Sequence, residues 1–429
     1  MAVPMSIFQN LPLELLQTIF EHLRRSPSSV YSLSLTCRRV HVATTPLLYS
    51  SICLTGPVSS GQLARTLRQS SWLCRLTVEL QVHFHDEEMG QSYEPLLTAV
   101  FEMRNLKSLS VRSVPLRDIF ESTNHRLLDL LRKGENNIEI KSPTEHVGQK
   151  LRTLYLGAAY KGFDRGGWLL GANKIVFSMV QLEKLHIQGA KIELLHPGAL
   201  ATSSSVKKTA LKYLAFLNRD FSPDTLGQIL AFPEALTHLA IKGRWPDPNG
   251  SSNSWACDNF VDPCEYVDKI KESSSAGLEY LDFDIWYSES DPDFECLEGL
   301  KHLSIPMDAY QYYERGLDGV HELGTRVPIQ FLPISLETLE LSEFDRTGIS
   351  FPSILERVKV GQTPNLRAVM YRKFYGMDEE ESGEDCEGEI VAFRELGVEL
   401  SITSCAGPCT MPEYDNWSCE CWMFYHTAG

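Results

Sequence analysis

The feature that most constrains this chain is a short apolar signature, Leu-x-x-Leu-x-Leu or a close variant, that returns along most of its length. It appears as Leu73-x-x-Leu76-x-Val78, Leu106-x-x-Leu109-x-Val111, Leu151-x-x-Leu154-x-Leu156, Leu182-x-x-Leu185-x-Ile187 and Leu211-x-x-Leu214-x-Phe216. It continues as Leu236-x-x-Leu239-x-Ile241, Leu278-x-x-Leu281-x-Phe283, Leu300-x-x-Leu303-x-Ile305 and Leu336-x-x-Leu339-x-Leu341, with a degenerate copy at Leu366-x-x-Val369-x-Tyr371. The last two apolar positions alternate with their neighbours, as a short strand with one buried face requires. Several copies follow a helix-like segment, at 63–72, 94–105, 173–181, 223–235, 266–273 and 354–365. One such helix–turn–strand unit cannot bury its own apolar face, but a stack of them shares a continuous core. The expected fold class is therefore α/β, a solenoid with parallel short strands on a concave side and helices outside. Intervals between copies run from 22 residues (Leu278 to Leu300) to 45 (Leu106 to Leu151), so the solenoid should be irregular.

The first fifty residues follow a different pattern. After Pro12, a residue suited to a first helical turn, Leu15, Ile19 and Leu23 recur at steps of four, with Leu16 and Phe20 beside them. At about 100° per residue this apolar arc is roughly 140° wide. Two readings follow: a helix wedged between two elements of its own fold, or a helix with one flank in its core and the other offered to a partner groove. Ser26-Pro27-Ser28-Ser29 breaks the chain, and Ser28 or Ser29 suits the cap of a second helix. A third should run from Arg38 to about Ala43 and end at Pro46. Three helices this short bury little core alone, so the unit should lean on a partner or on the next domain.

The run Leu11-Pro12-Leu13-Glu14-Leu15-Leu16, then Ile19-Phe20, Leu23, Leu33, Leu35-Thr36-Cys37-Arg38-Arg39, Ala43 and Pro46-Leu47-Leu48-Tyr49 resembles an F-box, especially those of fungal proteins. Val40 departs from the family, which often has Trp after the Arg pair. The resemblance implies docking to a Skp-family adaptor within a cullin–RING (SCF-type) ubiquitin ligase. Its adaptor-contacting positions fall on Leu11, Pro12, Leu15, Ile19 and Leu23, and in the later helices on Leu33, Cys37, Arg38, Pro46 and Tyr49. The array behind it resembles the leucine-rich repeats that follow many F-boxes. It lacks their Asn or Cys after the strand; Ala159, Ala190, Arg219, Arg244, Trp286, Asp308 and Phe344 stand there instead. The expected domains are an F-box over 6–52, irregular repeats over 53–404 with an acidic loop at 378–389, and a Cys- and aromatic-rich tail over 405–429.

If the strands line a concave wall, the residues flanking their buried positions face a target. These are Lys184, His186, His238 and Lys242, then Tyr280, Asp282, Asp284, His302 and Glu340. They describe a wall running from basic to acidic, or else ordinary solvated strand residues. Insertions at 244–277 and 306–335, the latter with Tyr310, Tyr312 and Tyr313, are either rim binding loops or tolerated decoration.

Charge and composition exclude several classes. With 40 Lys and Arg against 56 Asp and Glu, the net charge of −16 argues against phosphate neutralisation on nucleic acid and against an anionic membrane surface. There is no apolar run of about 18 residues and no secretory pattern at the N-terminus. Eleven scattered cysteines then suggest reduced thiols in an intracellular protein, cytoplasmic or nuclear, in which the sequons at Asn249 and Asn416 are chance. No phosphate-cradling glycine loop, nucleophile elbow or paired-His zinc helix occurs, so no enzyme activity and no cofactor are expected. Cys405, Cys409, Cys419 and Cys421 with His426 could take zinc, but without CxxC knuckles they read as ordinary cysteines. The run 378–389 holds eight carboxylates in twelve residues, a solvated loop or a site for a basic partner. The reading is a target-recognition subunit of the ligase, or alternatively a scaffold that binds partners without promoting ubiquitin transfer.

Overall fold

The structure, a computed structural model, describes residues 11–23, 26–84, 96, 99–100, 102–113, 150–158, 168–169, 175–188, 190–192, 208–217, 221–242, 262–274, 277–284, 292–306, 332–343, 351–374 and 387–405. The chain divides into two compact units, Met1–Leu169 with Asn173–Ile187, and Leu170–Ala172 with Gln188–Gly429.

The first unit opens with three helices, α1 Leu13–His22, α2 Pro27–Ser34 and α3 Arg38–Ser50. Pro12 occupies the cap position of α1, one residue before its expected place, and the cap position of α2 falls on Ser26, which makes no side-chain cap bond, so Ser28 and Ser29 lie inside the helix rather than at its cap. The third helix does not end at Pro46. It continues to Ser50, with Ala43, Thr44 and Thr45 buried along one side. The hydroxyls of Thr44 and Thr45 bond back to the carbonyls of Val40 (2.9 Å) and His41 (2.7 Å). Packing on that side outweighs the one backbone bond a proline removes. Then come β1 Ser51–Thr55, α4 Pro57–Gln69, a 3-10 turn at Ser71–Arg75, β2 Glu79–Phe84, β3 Ser108–Ser113, β4 Thr153–Ala158 and β5 Lys184–Gln188. These strands lie side by side in chain order, and β1 to β4 pair in parallel. The register aligns Leu80, Leu109 and Leu154, and one step on Leu54, Val82, Val111 and Leu156, all buried.

The first expected copy, Leu73-x-x-Leu76-x-Val78, is not a strand. Leu73 belongs to the 3-10 turn, and the strand that fills this place is β2. Its inward residues are Leu80 and Val82, and the buried Thr77 stands where other copies have their first leucine. The Thr77 hydroxyl bonds the carbonyl of Leu73 (3.4 Å), so a polar residue serves an apolar position.

The second unit carries β6 Tyr213–Leu217, α5 Pro223–Leu230, β7 His238–Lys242, α6 Pro263–Ser274, β8 Tyr280–Asp284, β9 His302–Pro306 and β10 Thr338–Glu343. It continues with α7 Phe351–Lys359, β11 Ala368–Phe374, α8 Glu387–Glu395 and β12 Glu399–Cys405. Every neighbouring pair from β6 to β12 is parallel. One row of the register reads Leu214, Leu239, Leu281, Leu303, Leu339, Val369 and Leu400, each at most 6% exposed. The helices complete this core. Ser222 caps α5 by accepting from the Thr225 amide (3.2 Å), and the buried Tyr266 of α6 donates to the Phe221 carbonyl (2.5 Å).

The acidic run does not stay a loop to its end: Glu387 and Glu389 form the first turn of α8, where carboxylates favour a helix N-terminus. Residues 378–386, the tail after Cys405, both sequons, most of the two insertions and the expected Asn positions other than Ala190 lie outside the described residues. Among the described residues no helix is long and apolar enough to cross a membrane, and no group of His, Cys, Asp or Glu is placed to hold a metal.

Candidate docking surface

The three-helix segment splits its apolar residues between two jobs. Leu16 and Phe20, one turn apart on α1, are fully buried and close a core with Val40 and Ala43 of α3. Leu11, Leu23, Leu33, Cys37 and Leu47 pack against that core and are partly buried. Leu15 and Ile19 sit one position before the buried pair, about 100° round the helix. They remain 51% and 38% exposed. Leu16 and Phe20 are thus the flank of α1 turned to its own core. Leu15 and Ile19 are an apolar flank left uncovered among the described residues.

The remaining expected docking residues are placed around this flank's helices. Pro12, Arg38 and Pro46 are exposed and Tyr49 is half-buried. Leu11, Leu23, Leu33 and Cys37 offer a partner only what their core contacts leave accessible. The entrance of α1 is tied down across 28 residues: Arg39 donates through Nη2 to the carbonyl of Leu11 (2.6 Å). The structure adds exposed apolar residues that sequence reasoning passed over, Tyr31 (58%), Leu35 (68%) and Val42 (61%). Tyr31 and Leu35, four apart across the end of α2, carried the same signal as Leu15 and Ile19.

A second candidate surface is the polar face of the strands, opposite the leucine rows. In the second unit it holds His238 and Lys242 on β7, Tyr280 and Asp282 on β8, His302 on β9 and Glu340 on β10. The backbone of Asp284 is opposite Lys242. Tyr213, His238, Tyr280 and His302 form a ladder across four strands, with ring centroids 6.0, 5.5 and 4.3 Å apart and the last two pairs stacked. The acids in this set are paired rather than presented. Asp282 is buried against Lys242 (2.8 Å), and Glu340 lies 3.5 Å from His302 Nε2. Burial, with Asp282 nearby, holds the Tyr213 phenol well above its ordinary range. At the strand starts Lys301 donates to Glu279 (2.9 Å) and holds that carboxyl below the usual range.

In the first unit the polar face holds Lys184, exposed, and His186, half-buried, on β5. Sequence reasoning took only the middle and later copies. It missed that the same alternating positions carry His83 on β2, Arg112 on β3 and Tyr155 on β4. The Arg112 guanidinium lies 4.8 Å from the Tyr155 ring centre, and the His186 ring is 4.5 Å from it. Burial pushes the Tyr155 phenol up to about 12, against the weaker opposing pull of Arg112.

Comparison with curated proteins yields no match for the chain. Residues 8–55, which contain α1 to α3 and β1, match the model of the F-box-like family, so the chain carries an F-box-like domain at its N-terminal end.

Proposed function

We propose that this chain is a target receptor of an SCF-type cullin–RING ubiquitin ligase, docking a Skp-family adaptor through its F-box-like domain and a protein target through the strands behind it. The observation that supports this most is the uncovered flank of Leu15 and Ile19 within the F-box-like segment, beside a buried Leu16–Phe20 pair. Burying the part of these two side chains that is still exposed, about half of each or less, gains about 1 kcal/mol apiece. In this reading the repeats form an irregular leucine-rich array, and the chain works inside the cell. It does no chemistry and needs no cofactor. It raises the target's effective concentration beside the charged conjugating enzyme.

The test is co-purification. Leu15→Asp with Ile19→Asp should abolish adaptor capture and leave the unfolding midpoint nearly unchanged, because both side chains are exposed. Leu16→Ala should instead lower stability by about 2–5 kcal/mol. Adaptor capture that survives the double substitution overturns the reading. Capture of partners that are never ubiquitinated in a reconstituted reaction would assign the chain as a scaffold instead.

A further inference from the structure

We infer that the outer edge of β12 is the interface of a symmetric dimer, in which β12 of a second copy of this chain pairs with it as an antiparallel strand. The inference does not rest on the receptor reading.

β12 is the last strand of the sheet, and β11 is its one neighbour among the described strands. The register with β11 runs unbroken over 7 residues, Glu399 to Cys405. The Glu399 amide donates to the Arg367 carbonyl (2.8 Å), so the backbone of Glu399, and of every second residue after it, is turned to β11. The N–H and C=O groups of Leu400, Ile402 and Ser404 are therefore turned the other way. Among the described residues no strand pairs with them. Such a row of backbone groups is a template for another strand, which proteins commonly blunt with a lysine, a proline, a bulge or a very short edge. β12 has none of these, and its single charge is Glu399. The sheet's other edge, β1, has only 5 residues and runs at once into Gly56-Pro57, and its Thr55 carbonyl already accepts from the Ser59 hydroxyl (2.7 Å).

A second copy fits this edge because the strand is complementary to itself. With Ile402 on the two-fold axis, every residue of β12 finds a partner. Leu400 is then opposite Ser404 of the second copy, Ile402 opposite its own counterpart, and Glu399 opposite Cys405. Each pair formed by the outward-turned residues exchanges both of its N–H···O=C bonds. The two Glu399 carboxylates stand at opposite ends of the pair, about 20 Å apart, so no like charges face one another. On the core side Leu400 is buried and Ile402 half-buried, and the two copies of Ile402 cover one another. A second copy also brings its strand ready-formed. An unstructured segment would lose ordering entropy on pairing that this strand has already lost in folding. The interface is narrow, which places the dimer in the weak class.

Sedimentation equilibrium of the full-length chain tests this. The mass should rise from 48.5 kDa toward twice that value between roughly 1 and 100 μM, the range a narrow interface gives. Over the same range, hydrogen exchange at the amides of Leu400, Ile402 and Ser404 should slow about ten-fold or more as they become paired. Ser404→Pro removes an N–H that β11 does not use, so it should keep the unfolding midpoint and abolish the dimer. Ser404→Ala keeps that donor and should keep the dimer. If the proline variant does not fold, hydrogen exchange of the unaltered chain decides the matter alone. A chain that stays at 48.5 kDa overturns the inference, and so does a dimer that survives Ser404→Pro or that forms without protecting these amides. Protection of the same amides in a chain that stays monomeric would assign the edge to the chain's own residues after 405, and would overturn the inference as well.

Discussion

Tyr155 shows how much one residue of the polar face reports about its surroundings. Its phenol is pushed from 10.0 up to about 12, chiefly by burial. A group whose folded value is raised contributes stability that is whole below its unfolded value and lost as the pH climbs through the folded one. The wild-type chain should therefore lose more stability between about pH 9 and about pH 11 than Tyr155→Phe does. Urea unfolding of both proteins at the two pH values checks this, and parallel losses would mean the ring is solvated. The same scale explains why α1 was ambiguous in sequence. Leu15, Leu16, Ile19 and Phe20 are equally apolar and lie in one arc. Which pair turns inward depends on where Val40 and Ala43 of α3 approach, and that is a tertiary fact. Arg112, Tyr155 and His83 were hidden for another reason. Their positions were legible, but the guanidinium–ring contact depends on the glycine at 157 leaving space.

Among the elements, those built on the leucine signature were readable and those built on something else were not. Nine copies place their last two apolar positions inside strands, from Leu109 and Val111 of β3 to Val369 and Tyr371 of β11. β2 was displaced because Thr77 replaces a leucine. β1 and β12 were missed because each has a weak apolar face: β1 buries one residue, Leu54, and β12 relies on Leu400 and a half-buried Ile402. The turn between α8 and β12 is stiff. The amide of Gly397 bonds the carbonyl of Arg394 (2.9 Å), and that of Val398 bonds Phe393 (3.0 Å), with Phe393 and Val398 both buried. This double closure needs a residue at positive φ, and Gly397 has φ 76. Gly397→Ala should cost about 1 kcal/mol. Gly388, the second residue of α8 with open space where a Cβ would stand, should gain about 0.5 kcal/mol on the same change. Denaturation midpoints that move in the same direction for both would refute the turn argument.

For the whole molecule, acidity says less than its total suggests. Eight of the sixteen net negative charges fall in residues 378–389, and −16 + 8 leaves −8 for the other 417 residues. The apolar pattern says more, since it separates a small helical domain from the strands that follow. Affinity purification of the full chain, compared with a chain lacking residues 1–50, should lose the adaptor and cullin and retain other partners. Loss of every partner would mean that the helices also support the strands they precede.

That support has a mechanical side. α3 ends at Ser50 and β1 begins at Ser51, with no residue between them. A connection of zero length leaves little slack for a swivel. On the proposed function it would act as a bracket rather than a tether: whatever the first unit's strands bind would be kept close to whatever Leu15 and Ile19 bind. In a ligase receptor such a bracket turns chemistry into surveying. The lysines modified on a target would be those lying at one reach from the adaptor, and a short glycine insert between Ser50 and Ser51 would blur that choice without touching either grip.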